Sequence, residues 1–367
     1  MAIEITGTGR AIPFRRIGND ELAEKIDTSD EWIRSHTGIG ARHIADENTA
    51  CSDLALEAAK NALAMAAGFQ WPAGFSGFDT FGDPAAGLSE GDRADRDKAA
   101  AEYAGTIDLI LLGTATADYC GCPPTACIVQ DKLGAGQAAA MDISACCTGF
   151  IYGLETAAGL LNISGERKRA LVIGSEVLSR LIDWDDRSTA VLFGDGAGAA
   201  VLEKTSGASA GQDRRGLLRS ILGADGSGRE SLIFRRGGSR NPFKAGEVVD
   251  KPIRLEMNGQ EVYYFAVKAV TMTIEKLLKQ EGVTIDEVSR IVPHQANARI
   301  VQAAGKRLRI PMEKFFLNIE EYANTSAASI PIALDELNRK GELKKGNLIM
   351  TIGFGGGLTY GGNLIVW

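Results

Sequence analysis

Three short stretches hold residue types that can do nucleophilic and acid–base chemistry. Residues 142–150 read Asp-Ile-Ser-Ala-Cys-Cys-Thr-Gly-Phe, residues 292–297 read Val-Pro-His-Gln-Ala-Asn, and residues 323–329 read Ala-Asn-Thr-Ser-Ala-Ala-Ser. Cys147 precedes a run in which Phe150, Leu154, Ala157 and Leu161 fall on one helical stripe. It therefore stands near the start of a buried helix. A helix N-terminus offers unpaired N–H groups and a positive dipole end, and both stabilise a thiolate, the nucleophilic form of cysteine. The same stretch also reads as a plain buried cysteine acting as a small hydrophobe. Of three histidines, His36 and His43 read as surface or satisfied residues. His294 follows an apolar strand, at the carboxyl end where ligand sites of α/β folds gather. Asn324 precedes a second apolar helix.

The elements that must position these residues are legible in outline. A first strand over 2–6 is followed by Gly7-Thr8-Gly9, which reads as a turn. Thr28 and Glu31 form a capping-box pattern ahead of a short helix carrying Trp32 and Ile33. Ser52 reads as the cap of a helix from 54 to about 66, closed by Gly68. Central strands are expected at 107–113 and 169–174, with a helix at 126–133 between them. Further expectations are a strand at 217–222, a long helix over 259–280, a strand at 288–292, helices over 297–308 and 326–339, and a strand at 346–353. The order strand, loop, helix at 107–133 recurs at 288–308. Residues 191–202 resemble 349–366, and Cys147 with its helix has a counterpart in Asn324 with its own. That is an internal duplication of an α/β unit, with halves at 1–204 and 205–367. Sites commonly form where such halves meet.

One stretch breaks the pattern. Residues 68–106 hold seven acidic and three basic residues, so they supply four of the chain's seven excess negative charges. They read as a surface insertion. Its aromatic residues Phe69, Trp71, Phe75, Phe78 and Phe81 point to partial packing on the body, and 92–103 could form a short helix.

Composition excludes several classes. With 24% charged and 45% hydrophobic residues, the chain is of ordinary globular type. No polybasic block points to nucleic acid or an anionic membrane. No secretory leader or bilayer-spanning run is present, and six cysteines without a leader fit reduced thiols in a cytoplasm. Cys120, Cys122 and Cys127 lack a fourth ligand nearby, so a metal site is not expected. The glycine-rich 194–198 precedes a strand, so it does not read as a dinucleotide loop.

Taken together, Ala-Cys-Cys-Thr-Gly-Phe at 145–150, His-Gln-Ala-Asn at 294–297, Asn-Thr-Ser-Ala-Ala-Ser at 324–329 and Gly-Phe-Gly-Gly-Gly at 353–357 resemble the β-ketoacyl-acyl carrier protein synthase III family. Residues 28–33 and 193–199 add to the resemblance, which covers nearly the whole chain apart from about 68–106. It implies a thiolase-type fold, a five-layer αβαβα arrangement of two duplicated halves, and a homodimer. It implies the triad Cys147, His294 and Asn324, with Cys146 only a neighbour. The implied reaction starts fatty acid synthesis. An acyl-CoA acylates Cys147, and malonyl-acyl carrier protein then loses CO₂ and condenses with the acyl group.

In that scheme His294 and Asn324 donate hydrogen bonds to the enolate oxygen, and the N–H groups of Cys147 and Gly356 form a second oxyanion hole. Trp32 and Arg187 sandwich the adenine of CoA, and Asn297 holds the pantetheine arm. His36 stands where the family often has arginine. Arg299, Lys306 and Arg307 form a docking patch for the acidic carrier protein. No cofactor is implied beyond CoA thioester as substrate. Ala323 replaces a family glycine, and the loop at 118–124 reads as one residue longer than usual, which leaves the acyl preference open. The alternative is a related condensing enzyme or acyltransferase of secondary metabolism using CoA thioesters.

Overall fold

The computed structural model describes residues 1–72, 88–207, 214–248 and 254–367. In chain order the first elements are β1 (Ala2–Ala11), β2 (Arg15–Gly18), α1 (Asn19–Ala23), α2 (Asp30–Thr37), β3 (Ala41–Ile44), α3 (Cys51–Ala66) and α4 (Glu90–Ala104). Then come β4 (Leu109–Gly113), α5 (Thr125–Leu133), β5 (Ala139–Ile143), α6 (Gly149–Ile163), β6 (Arg169–Glu176), α7 (Arg187–Ala190) and β7 (Gly196–Thr205). The remainder is β8 (Gly216–Ala224), β9 (Leu232–Phe234), β10 (Leu255–Met257), α8 (Gly259–Glu281), β11 (Val288–Pro293), α9 (Ala298–Leu308), α10 (Ile319–Tyr322), α11 (Ser329–Arg339), β12 (Leu348–Gly355) and β13 (Thr359–Val366).

Two mixed sheets carry the structure. One has the order β1-β7-β6-β4-β5 and the other β11-β12-β13-β8. Each has the same connectivity at its centre. β4 runs parallel to β6, which is antiparallel to β7, which is antiparallel to β1. Correspondingly, β11 runs parallel to β12, which is antiparallel to β13, which is antiparallel to β8. Even the edge strand β5 has a trace in the second sheet, where Ile291 makes a parallel bridge to Phe315.

Apolar side chains then dictate the layering. Ala55, Ala58, Ala59, Ala62 and Leu63 of α3 pack with Ala197, Ala199 and Val201 of β7 on the outer face of the first sheet. Phe150, Leu154 and Leu161 of α6, with Ile330, Leu334 and Leu337 of α11, fill the space between the sheets. Ala266, Val270, Ile274 and Leu277 of α8 cover the outer face of the second. The result is five layers, αβαβα. α6 and α11 are shielded on both sides, which is why their stripes read as nearly all apolar.

Several local expectations change. Gly7 and Gly9 do not turn the chain, since β1 continues to Ala11. They are glycines because α3 lies directly against β1: a Cβ on Gly7 would come within 2.3 Å of the Ala62 carbonyl oxygen, and one on Gly9 within 2.4 Å of that of Ala58. The cap of α2 is Ser29, whose side chain accepts from the Trp32 N–H, and not Thr28. α3 starts at Cys51 after Ala50, with the Asp53 carboxylate accepting from the Ala50 N–H, so Ser52 is inside the helix. The expected helix at 92–103 is longer, spanning Glu90–Ala104, and it belongs to the body: Arg96 is fully buried and donates to Asn61 and Glu57 of α3. Phe69 and Trp71 pack edge to face, and the Arg339 guanidinium lies 4.0 Å over the Trp71 ring. Phe75, Phe78 and Phe81 lie outside the described residues. No helix among the described residues is long and apolar enough to cross a membrane.

Candidate active site

Cys147, His294 and Asn324 line one pocket of about 140 Å³, together with Leu192, Phe193, Leu232, Val262, Ile300 and Phe354. The walls are mainly apolar, and the three polar side chains converge at one end of the chain's duplicated core. Each comes from a strand end or helix start. Cys147 occupies the 3₁₀ turn Cys146–Thr148 that joins β5 to α6. Cys146 takes φ 46 in that turn, so the chain reverses sharply there. His294 follows β11, and its N–H is held by the Ile352 carbonyl at 2.7 Å. Asn324 leaves α10 and is pinned by its N–H to the Leu192 carbonyl at 2.9 Å.

The partners of these side chains orient their donors. The Oδ1 of Asn324 accepts from the Ser326 N–H at 2.9 Å, which leaves its amide NH₂ as the group for the pocket. The Nδ1 of His294 meets Ser329 Oγ at 2.7 Å, and that oxygen also accepts from the Gln295 N–H at 3.3 Å. Where the Ser329 hydroxyl donates to Nδ1, the ring proton sits on Nε2. Burial pushes the His294 imidazole down to about 3, so the ring is neutral. A neutral ring with Nε2–H and an amide NH₂ form a donor pair without a cation. Neither serine was assigned a role from sequence. Both lie inside the Asn-Thr-Ser-Ala-Ala-Ser stretch, whose spacing alone does not say which side chain turns inward.

Of the two readings of this stretch, a thiolate at a helix start and a buried thiol, burial works toward the second. Cys147 is only 7% exposed, and this pushes its thiol far above the ordinary value. Cys146 and Glu176 act in the same direction. Gly355 is the glycine that closes on the nucleophile, since a Cβ there would lie 2.8 Å from the Cys147 nitrogen. Gly356 lies against Cys146, whose sulfur a Cβ on Gly356 would approach to 3.1 Å.

The remaining residues spread outward from the pocket. Asn297 is on its wall and also caps α9: Oδ1 accepts from the Arg299 N–H at 2.8 Å, and the amide donates to the His36 carbonyl at 3.1 Å. That bond ties α9 to α2. On α2 the Trp32 ring stacks with His36, and the Arg187 guanidinium lies 4.1 Å over the same ring. Arg299, Lys306 and Arg307 are exposed on α9 and join no ion pair among the described residues. His43 is a satisfied core histidine, meeting the Pro13 carbonyl at 2.7 Å and Glu321 at 3.2 Å. Among the described residues no three His, Cys, Asp or Glu side chains gather as a metal site.

Comparison with known proteins agrees with this layout. The family model "3-Oxoacyl-[acyl-carrier-protein (ACP)] synthase III" matches residues 141–226, and the model of that family's C-terminal part matches 278–367. The β-ketoacyl-[acyl-carrier-protein] synthase III of Clostridium acetobutylicum is 41% identical over 367 residues, covering 100% of this chain and 99% of the relative. The one from Clostridium perfringens is 46% identical over 363 residues, covering 99% and 98%. The crystal structure of 3-oxoacyl-[acyl-carrier-protein] synthase III from Aquifex aeolicus superposes with a TM-score of 0.80 at 39% identity, with both chains fully covered. The five layers are thus those of the thiolase-type fold, and the chain belongs to the β-ketoacyl-acyl carrier protein synthase III family.

Proposed function

We propose that this chain is an acyltransferase that starts fatty acid synthesis by decarboxylative Claisen condensation. It joins an acyl-CoA primer to malonyl-acyl carrier protein through an acyl-Cys147 intermediate. The observation that carries this reading is the convergence of Cys147, His294 and Asn324 on one apolar pocket, with the last two offering neutral donors.

The steps follow from those groups. Cys147 sulfur attacks the primer thioester, and CoA leaves. The N–H groups of Cys147 and Gly356 serve the oxyanion of that step. Malonyl-acyl carrier protein then loses CO₂, and negative charge grows on its thioester oxygen. His294 Nε2–H and the Asn324 amide donate to that oxygen, where fixed donors in a dry pocket lower the barrier most. The enolate carbon attacks the acyl thioester, and Cys147 is released. Two half-reactions sharing one covalent intermediate give ping-pong kinetics.

CoA enters as substrate, with Trp32 and Arg187 on its adenine, Asn297 on its pantetheine arm and His36 near its phosphates. Arg299, Lys306 and Arg307 dock the acidic carrier protein. The halves 1–204 and 205–367 form one subunit of a cytoplasmic homodimer. β5 supports pairing: it ends its sheet uncovered, with Met141 exposed, and an open strand edge is a template for a second strand.

Intact mass after incubation with acetyl-, branched and longer acyl-CoAs tests the first half-reaction. One acyl group on the Cys147 peptide is expected, and no adduct with any primer overturns it. Comparing malonyl-carrier protein with malonyl-CoA as extender tests the second. Equal use of both would favour a condensing enzyme of another pathway.

A further inference from the structure

Leu232 of β9, Met257 of β10, Val262 and Tyr263 of α8, and Ile300 of α9 all line the Cys147 pocket, so these four elements share its rim. The basic residues of α9 have a role in the scheme above. The charge beside β9 has none. β9 and β10 pair only with each other, as a two-stranded ribbon apart from both main sheets. Beyond β9 the chain leaves the body as an arm, and residues 238–248 of it are exposed throughout. Residues 229–248 hold five basic and two acidic residues, in a chain whose net charge is −7. This is a local positive surface on an acidic protein.

The arm is held in shape by its own groups. Arg236 donates to Glu247 at 2.6 Å, and its guanidinium lies 5.0 Å over the Phe243 ring. Asn241 closes the turn between them: its carbonyl accepts from the Gly237 N–H at 3.0 Å, and its amide donates to the Arg235 carbonyl at 3.1 Å. Arg235 in turn bonds Glu230 at 2.7 Å and Glu256 at 2.8 Å. These bonds engage two arginines and both acids of the segment. Arg240 and Lys244 are left over: each is exposed, and neither joins an ion pair among the described residues. The root of the arm is fixed as well. Arg254 pairs with Asp183, and the Leu255 N–H donates to the Leu181 carbonyl at 2.9 Å. A fixed root and an internal clamp hold two spare cations near the pocket mouth, with Phe243 exposed beside them.

We propose that this arm, through Arg240 and Lys244, is a second docking surface for the acidic carrier protein, on a side of the rim that α9 does not cover. This rests on the function proposed above. Size argues for it. A standard protein interface takes about 800 Å² from each partner, and α9, about 16 Å long, offers only a fraction of that. A carrier that delivers its prosthetic arm into the Cys147 pocket sits over the whole mouth, and so meets the ribbon as well as α9. Charge argues for it too. An acidic partner is repelled by a chain of net charge −7, and positive groups on more than one side of the mouth both offset that repulsion and fix the partner's orientation. The exposed rings of Phe243 and Tyr264 add apolar contact between the basic groups, as aromatic residues do in interfaces.

The double variant Arg240→Glu/Lys244→Glu of the full-length protein tests this, and both sites are exposed, so the fold is kept. KM for malonyl-carrier protein is expected to rise about three- to tenfold at low salt, with the gap narrowing as salt increases. KM for acyl-CoA is expected to stay within about twofold of the wild type. An unchanged KM for the carrier overturns the proposal. So does an equal rise in KM for acyl-CoA, which would give the arm to the phosphates of CoA instead. Binding of fluorescently labelled carrier protein with an unloaded prosthetic thiol, read by anisotropy, separates this proposal from the function beneath it. If the wild type binds the carrier more tightly than the variant but condenses nothing, the docking surface stands and the proposed function fails. If the wild type condenses and both proteins bind the carrier alike, the function stands and the docking surface fails.

Discussion

The Arg187 guanidinium lies 4.1 Å from the centre of the Trp32 ring, and the same ring stacks with His36 at 4.4 Å. Trp32 and Arg187 come from different elements, α2 and α7, yet they meet face to face. An adenine between them needs roughly 7 Å, two stacking distances, so the pair must part on binding. Arg187→Ala is expected to raise KM for acyl-CoA about two- to fivefold, the worth of one exposed cation–π contact, with kcat changed less than about twofold. Steady-state kinetics checks this. An unchanged KM would remove Arg187 from the CoA site.

The donor pair predicts a split between half-reactions. His294→Ala and Asn324→Ala should still accept an acyl group on Cys147, because neither holds the sulfur. Decarboxylation of malonyl-carrier protein should fall about 10²–10³-fold for each, the usual cost of one oxyanion donor. Single-turnover assays from preformed acyl-enzyme separate the steps. Equal losses in both would contradict the assignment.

Acid should weaken the fold through the same histidine. His294 is held near 3 in the folded chain against an ordinary 6.5, because burial disfavours its charge. Between those values the unfolded chain binds the proton and the folded chain does not. Stability contributed by neutral His294 is therefore present above 6.5 and is lost as pH falls, by up to about 1.4 kcal/mol per unit. His294→Gln lacks this slope. Urea melts of both proteins across the window are expected to show the wild type losing ground, and parallel curves would refute it.

Ala323 offers a stability test. It has φ 53 and ψ −152, a backbone region natural to glycine, and it directly precedes Asn324. Holding an alanine there costs about 1–2 kcal/mol, and the freedom of an unfolded glycine offsets part of that gain. Ala323→Gly is expected to raise Tm by about 1–2 °C with activity retained. A lower Tm would mean that the buried methyl group contributes more than the strain.

Charge reversal on α9 tests docking. Arg299→Glu and Lys306→Glu should raise KM for malonyl-carrier protein, most strongly at low salt, and leave alkylation of Cys147 unchanged. An effect that persists at high salt would argue against an electrostatic surface.

The sequence by itself determined the family, and it singled out Cys147, His294 and Asn324, which line one pocket. Cys147, His294 and Asn324 each stand in a short stretch whose neighbours identify it, and periodicity located α6, α8, α9 and α11 within a few residues because their buried faces repeat regularly. Close approach was not legible. Gly7 and Gly9 read as a turn because nothing local announces that α3 lies on β1. Nor were the partners that fix chemistry: Ser329 reaches His294 across 35 residues. Only the tertiary structure decided how deeply Cys147 is buried. A local view sees the helix dipole, whereas burial by distant segments sets the dielectric around the thiol and pushes its pKa up.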